Sequence, residues 1–189
     1  RGLVAFNRGQ LAEARALLGE AEILITGWGA PHLGADELAA SPNLRVVAHL
    51  AGSVKPFLDR GIQARGIVVT SAADANAIPV AEYTLAAILF ANKKVFALQT
   101  AYHEARHAEA WAKVAPGLGN YRKTIGIVGA SRVGRRVMAL LQPFDLEVLL
   151  FDPYVGPADA TRLGARLVDL ETLMKTADIV SIHAPLLPE

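Results

Sequence analysis

The sequence of 189 residues contains no cysteine. This absence excludes disulfide bonds, thiolate metal sites and a cysteine nucleophile, and it is typical of a protein from a reducing compartment. The sequence also lacks a signal peptide and an apolar run of about 18 residues, so we expect a cytoplasmic protein without a membrane span. Because it begins at Arg1 rather than at a methionine, we expect the natural N-terminus to lie upstream.

An excess of charge of one sign is lacking as well. The chain has 19 basic and 18 acidic residues and a net charge of +1, which gives no reason to expect a nucleic acid or an acidic membrane as partner. Apolar residues make up 52% of the chain and charged residues 20%, a balance that allows a buried core. At about 100 to 200 residues per domain, the length fits one large or two small domains.

The stretch from Lys123 to Asp152 predicts a strand, a tight turn, a helix and a second strand. An apolar run at 124–128 leads into small residues, and a helical pattern starts at Arg132. A second apolar run at 148–151 then ends at Asp152. This order, with an acidic residue after the second strand, is typical of a dinucleotide-binding βαβ unit.

Three glycine positions form the phosphate loop of such a unit, and here they hold Gly129, Ser131 and Gly134. The first makes the turn, the second lets the backbone approach the pyrophosphate, and the third packs the helix on the strand. Ser131 adds a Cβ at the second position, although its hydroxyl could bond a phosphate oxygen. Asp152 would accept from the adenosine ribose and favour NAD over NADP. The alternative is an ordinary strand–turn–helix that binds nothing there.

The residues before Pro79 alternate short helices with short apolar runs. Strands are predicted at 22–26, 45–50 and 67–70, and loops at their carboxyl ends at 27–31, 51–53 and 71–78. This alternation predicts an α/β fold with a parallel sheet whose ligand crevice lies at those loops. From Pro79 the periodicity predicts one long helix, continuing through Trp111, that bridges two domains.

The predicted bridge carries the sequence HEARH, in which His103, Glu104 and His107 fit the pattern H-E-x-x-H. Two histidines at i and i+4 on a helix can bind Zn²⁺ while the glutamate activates water. The glycine and third histidine of a metzincin are replaced by Ala110 and Lys113. We therefore expect a solvated helix without a metal, and we keep a zinc hydrolase as an alternative function.

After Asp152 the chain predicts a short strand at 165–168, a helix capped by Asp169 and a last strand at 179–182. Together, the segments resemble the D-isomer-specific 2-hydroxyacid dehydrogenases, which include phosphoglycerate, formate and phosphite dehydrogenases. The resemblance is carried by ANAIPVAEYTLAAIL (75–89), GIVGASRVGRR (126–136), FDPY (151–154) and DLETLMKTADIVSIHAPLLPE (169–189).

The resemblance implies a flavodoxin-like substrate domain at 1–95, a bridging helix and linker at 96–119, and a C-terminally incomplete Rossmann domain at 120–189. It also implies the residues that bind the cofactor NAD. These are Thr84, Gly129, Ser131, Arg132, Val133, Gly134, Asp152, His183, Ala184 and Pro185. The backbone of Ala51, Gly52 and Ser53 would hold the substrate carboxylate. The family's Asp-x-x-Asp is missing after this loop, which leaves the substrate open.

The resemblance further implies a homodimer that transfers hydride between NAD(H) and a small D-2-hydroxy acid or 2-oxo acid. The family's catalytic arginine, glutamate and histidine come after the segment HAPL (183–186), which follows the last predicted strand. We therefore expect no catalytic residue within this chain and no activity from residues 1–189 alone. His32 and His49 are expected to be loop or core histidines. A non-catalytic NAD-sensing protein, like the family's transcriptional co-repressors, stays an alternative.

Overall fold

The computed structural model describes residues 4, 10–59 and 61–185. The chain forms two compact units, Arg1–Asn76 and Ala77–Glu189, which are described separately. The domain limits predicted from the sequence, 1–95, 96–119 and 120–189, stay predictions. Within the described ranges, no helix combines the length and the apolar character that crossing a bilayer requires.

The first unit is a parallel three-stranded sheet with short helices. Its elements are α1 (Leu11–Ala16), β1 (Ile23–Thr26), α2 (Ala35–Ala39), β2 (Val46–His49), α3 (Gly61–Ala64) and β3 (Val68–Ser71). The strand order is β1-β2-β3, and Thr26 lies opposite His49 at the carboxyl ends of β1 and β2. His49 is buried, bonds the Thr26 hydroxyl through Nδ1 at 2.9 Å and packs on the Phe57 ring. It is a core histidine.

The second unit contains a parallel four-stranded sheet with helices. Its elements are α4 (Ala73–Asn92, which begins in the first unit), α5 (Val95–Ala105), a 3₁₀ helix (Ala108–Lys113), β4 (Thr124–Val128), α6 (Arg132–Leu141), β5 (Glu147–Phe151), α7 (Pro157–Arg162), β6 (Arg166–Leu167), α8 (Leu170–Thr176) and β7 (Ile179–Ile182). The strand order is β6-β5-β4-β7. If β4 is counted as strand 1 of this unit, β5 as 2, β6 as 3 and β7 as 4, the order reads 3-2-1-4, which is the order of a Rossmann fold.

The core of the second unit follows from the predicted periodicity. Ile125 and Ile127 of β4 are completely buried, as is Val137 on the inner face of α6. Val133 and Leu140 are partly buried against the same cluster. Apolar residues spaced along one face of α6 therefore cover the sheet, as an amphipathic helix requires. The predicted α/β class and the Rossmann unit are both confirmed.

The single long helix predicted from Pro79 through Trp111 is wrong. Helix α4 begins earlier, at Ala73, and ends at Asn92. Lys94 has a φ of 47° and Arg106 a φ of 52°, so each leaves the right-handed helical region and interrupts the hydrogen-bond ladder. The Lys94 ammonium donates to the carbonyl of Pro116 at 2.5 Å, a contact that stabilises the first break.

The interruption of the helix at Arg106 also removes the support for the zinc-hydrolase alternative. His103 lies in the last turn of α5, whereas His107 comes after Arg106 and has an extended backbone with a φ of −142°. The two imidazoles therefore do not follow each other by one turn of the same helix, which the H-E-x-x-H site requires. The described residues contain no group of three or more His, Cys, Asp and Glu side chains that could hold a metal.

An ion pair ties the N-terminal ends of β4 and β7. Asp178, just before β7, accepts from the Lys123 ammonium at 2.7 Å and from the Thr124 N–H at 2.9 Å. The Lys123 hydrogen bond, followed by that of Thr124, lowers the pKa of Asp178 below its ordinary value. Because the folded pKa is depressed, the stabilisation exists at neutral pH and is lost as the pH falls through that pKa.

We predict that Asp178→Asn lowers the unfolding free energy at pH 7 by up to about 1 kcal/mol, since the pair is partly exposed. The difference from wild type should shrink as the pH falls below the ordinary Asp pKa of 3.8 and vanish below the lowered pKa of folded Asp178. Urea unfolding at several pH values measures this. Lys123→Met is the matched variant, and a double mutant that loses the full sum of both effects would show that the pair does not interact.

Candidate functional site

The candidate site lies where β4 and β7 end side by side. These strands flank the point at which the strand order reverses, and open α/β sheets bind ligands in the crevice at that point. The segment after β4 begins at Gly129, and the segment after β7 begins at His183. The two segments are joined at their start, because the His183 N–H donates to the Val128 carbonyl at 2.7 Å.

Two of the three predicted loop positions have no room for a side chain. Gly129 has a φ of 95°, and a Cβ there would lie 2.6 Å from the Ala184 backbone nitrogen. A Cβ on Gly134 would collide with the Gly129 carbonyl oxygen. The first glycine therefore permits the turn beside β7, and the other allows α6 to pack against the end of β4.

Ser131, at the middle position, is the N-cap of α6. Its Oγ accepts from the Gly134 N–H at 3.3 Å, and its backbone is extended, with a φ of −65° and a ψ of 178°. The side chain thus satisfies one of the N–H groups that a helix leaves without an intrahelical partner. A hydroxyl that accepts through a lone pair still has its own hydrogen to donate.

The peptide groups of Ala130 are fixed on both sides by charged side chains. Its N–H donates to Asp152 Oδ2 at 2.7 Å, and its carbonyl accepts from Arg135 Nε at 2.8 Å. Asp152 Oδ1 in turn accepts from the Tyr154 N–H at 2.8 Å. The sequence did not predict this clamp, because no pattern indicates that Arg135 reaches back to the loop that precedes its own helix.

The N-terminus of α6 suits an anion. The first turn begins with Arg132 and Val133 and contains no acidic residue. N–H groups in a first helical turn point out of the helix, and the helix dipole adds positive potential there. Together with the side-chain-free approach at Gly129 and Gly134, these residues fit the pyrophosphate of a dinucleotide. Asp152 stands at the end of the adjacent strand, where the ribose hydroxyls would come.

At the end of β7, His183 borders the same loop. Its Nε2 lies 2.9 Å from the Ser181 hydroxyl, and burial lowers its pKa below the ordinary value. The imidazole is therefore neutral at neutral pH. A Cβ on Gly134 would lie 3.4 Å from the His183 Cβ. Ala184 and Pro185 follow, and Leu186 to Glu189 of the HAPLLPE motif lie outside the described residues.

The remaining predicted residues lie on other elements of the chain. The Thr84 hydroxyl donates to the Val80 carbonyl at 2.8 Å, one turn earlier on α4. Ala51, Gly52 and Ser53 belong to the first unit and follow β2, where Ala51 is fully buried. The roles proposed for these residues rest on the family resemblance.

Residues 85–189 match the family model described as the D-isomer specific 2-hydroxyacid dehydrogenase, NAD binding domain. The match covers more than half of the chain. The chain belongs to this family. The resemblance stated from the sequence is thereby confirmed, and so is NAD as the cofactor of the matched domain.

Curated members of the family are similar over most of this chain. The D-3-phosphoglycerate dehydrogenase of Mycobacterium tuberculosis is 33% identical over 175 residues, which are 92% of this chain and 32% of that protein. The D-lactate dehydrogenase of Escherichia coli is 34% identical over 110 residues, 58% of this chain and 32% of that protein. The chain thus spans about a third of the length of the curated relatives that it matches.

Solved structures of similar fold include the TT0316 protein of Thermus thermophilus. It has a TM-score of 0.74 and 29% identity, with coverage of 100% of this chain and 57% of that chain. The Granulicella formate dehydrogenase has a TM-score of 0.73 and 26% identity, with coverage of 92% and 46%. The Rossmann arrangement of the second unit is therefore the one found in this family.

We predict that Ser131→Ala destabilises the protein more than Ser131→Gly does. Both variants remove the capping hydroxyl. Substitution of an N-cap residue by alanine lowers the free energy of unfolding by about 1 kcal/mol, whereas substitution by glycine lowers it by only about a few tenths of a kcal/mol. Urea unfolding of the two variants measures the difference. Equal stability of Ser131→Ala and wild type would mean that the bond to the Gly134 N–H does not contribute.

Proposed function

We propose that the protein containing this chain is an NAD-dependent oxidoreductase that transfers hydride between NAD(H) and a small D-2-hydroxy acid or 2-oxo acid. The observation that supports it most is the glycine turn at the β4–β7 switch point, within a domain of this family. The bound NAD would supply the hydride acceptor or donor. Reduction of 2-oxo acids by NADH, followed through the loss of NADH absorbance, tests the proposal.

The residues of the second unit would hold NAD in a defined order. The pyrophosphate would lie against the amides of Arg132 and Val133, with the Ser131 hydroxyl as a further donor. Asp152 would accept from the adenosine ribose hydroxyls. The segment His183 to Pro185 would line the pocket beside the loop, and Thr84 would approach the nicotinamide from α4.

Asp152 would also decide the choice of cofactor. Its carboxylate would face the 2′ position of the adenosine ribose, where NADP carries a phosphate and NAD a hydroxyl. Like charges repel, so NADP would be disfavoured. Because the same carboxylate holds the N–H groups of Ala130 and Tyr154, its removal also loosens the loop.

We predict that the protein binds NAD more tightly than NADP and that Asp152→Ala erodes this preference while weakening NAD binding about tenfold or more, as expected for the loss of hydrogen bonds to a charged group. Asp152→Asn should erode the preference with a smaller loss of NAD affinity, because the amide oxygen still accepts one N–H. Calorimetric titration with both cofactors measures this. Tighter binding of NADP by the wild type would contradict the assignment of Asp152.

The first unit would hold the substrate carboxylate. The loop Ala51 to Ser53 lies at the carboxyl end of β2, and the N–H groups of Gly52 and Ser53 have no hydrogen-bond acceptor among the described residues. Two consecutive N–H groups of this kind can bind the two oxygens of a carboxylate. The proton transfer that accompanies hydride transfer would be carried out by residues outside this chain.

We also propose a homodimer, located in the cytoplasm. The helices α4 and α5 expose aromatic side chains on the second unit, with Tyr83 76% exposed and Phe96 71% exposed. The rings of Phe90 and Phe96 lie 6.5 Å apart in a T-shaped pair. Exposed apolar surface of this kind is typical of a protein–protein interface.

We predict that Phe96→Glu converts the dimer into a monomer, because a charge would have to be buried in an apolar interface. Sedimentation velocity measures the mass. Met174→Glu, at a side chain of α8 that is 58% exposed, is the matched control and should leave the dimer intact. A Phe96→Glu protein that remains dimeric would place the interface elsewhere.

A further inference from the structure

The turn after β1 holds a tryptophan in solvent. The Ala30 N–H donates to the Gly27 carbonyl at 3.2 Å, and Gly29, with a φ of 75°, has the conformation that favours glycine. Ala30 packs against the buried cluster of the first unit. The turn is thus anchored in the core, yet Trp28 at its tip is 76% exposed.

Leu50 is a second exposed apolar residue at the same edge of the sheet. Its N–H donates to the Thr26 carbonyl at 2.8 Å, so it lies beside the last residue of β1, just before the tryptophan turn. The side chain is 68% exposed. Adjacent strand ends thus carry two large exposed apolar side chains, and contiguous exposed apolar surface marks an interaction site or a ligand groove.

Leu50 directly precedes the proposed carboxylate loop. Leu50 is followed by the buried Ala51 and then by Gly52 and Ser53, whose N–H groups have no acceptor within the described part of the chain. Gly52 is enclosed, since a Cβ there would lie 3.1 Å from the Asn76 side-chain nitrogen. The loops that follow the adjacent strands β1 and β2 therefore carry two exposed apolar side chains, Trp28 and Leu50, and the unpaired N–H donors of Gly52 and Ser53.

We propose that Trp28 and Leu50 contact the side chain of the 2-oxo acid and select an alkyl or aromatic group over a phosphorylated one. This inference rests on the proposed function. An indole and a leucine stabilise an apolar group by removing it from water, whereas neither side chain offers a phosphate a charged partner. Lys55 is exposed and comes after the carboxylate loop, where its backbone N–H donates to the Ser53 hydroxyl at 3.3 Å.

The test uses the full-length protein that contains this chain, with NADH and five 2-oxo acids. They are glyoxylate, pyruvate, 4-methyl-2-oxopentanoate, phenylpyruvate and 3-phosphohydroxypyruvate. We expect kcat/KM to be highest for 4-methyl-2-oxopentanoate or phenylpyruvate. Trp28→Ala should lower that value about tenfold or more, mainly through KM, while the value for glyoxylate, which has no side chain, should change by less than about threefold.

Three further variants separate a specificity role from a structural one. Trp28→Phe keeps an aromatic face and should restore most of the lost activity, and Leu50→Ala should reproduce the selective loss. Trp111→Ala removes a tryptophan of the second unit that is 48% exposed and should leave the substrate preference unchanged. NAD affinity, measured by calorimetry, should be equal in Trp28→Ala and wild type if the variant is folded.

The outcomes distinguish the specificity inference from the proposed oxidoreductase function. Preference for 3-phosphohydroxypyruvate that Trp28→Ala does not alter would overturn the inference, and so would an equal loss for all five substrates. In both cases turnover itself would leave the proposed function standing. Absence of turnover with every 2-oxo acid would instead overturn the proposed function, and the inference with it.

Discussion

The close approach of Gly134 to the Gly129 carbonyl determines the geometry of the loop from Gly129 to Gly134. There is no space for a Cβ between them, so the first turn of α6 lies directly against the end of β4. This closeness places the N-terminus of the helix at the switch point between β4 and β7. A side chain at Gly134 would push the helix away from β4 and displace the helix N-terminus at which the pyrophosphate is proposed to lie.

The hydrogen bonds around Ala130 extend this constraint to the neighbouring strands. Asp152 reaches from the end of β5 to the Ala130 N–H, and Arg135 reaches from α6 to its carbonyl. The acidic residue proposed to read the ribose is therefore also a structural part of the loop. If Asp152 reads the ribose as proposed, substitutions at Asp152 would change the geometry of the loop as well as the charge that the cofactor meets.

The sequence predicts this unit well because its pattern is local and strongly periodic. Residues 124–128, the face of α6 and Asp152 all lie where the pattern places them. The cap made by Ser131 was missed because sequence spacing shows the glycine pattern and not the partner of a hydroxyl. The breaks at Lys94 and Arg106 were missed for a similar reason: a left-handed lysine or arginine has no signal in composition, and tertiary contacts such as that of Lys94 with Pro116 determine it.

We propose that the loop from Gly129 to Gly134, together with Asp152, binds NAD. A crystal structure of the NAD complex of the full-length protein tests it most directly. We expect the pyrophosphate to lie within hydrogen-bonding distance of the Arg132 and Val133 amides and the adenosine ribose to bind the Asp152 carboxylate. A dinucleotide bound away from the carboxyl ends of β4 and β7, or a ribose that does not contact Asp152, would contradict it.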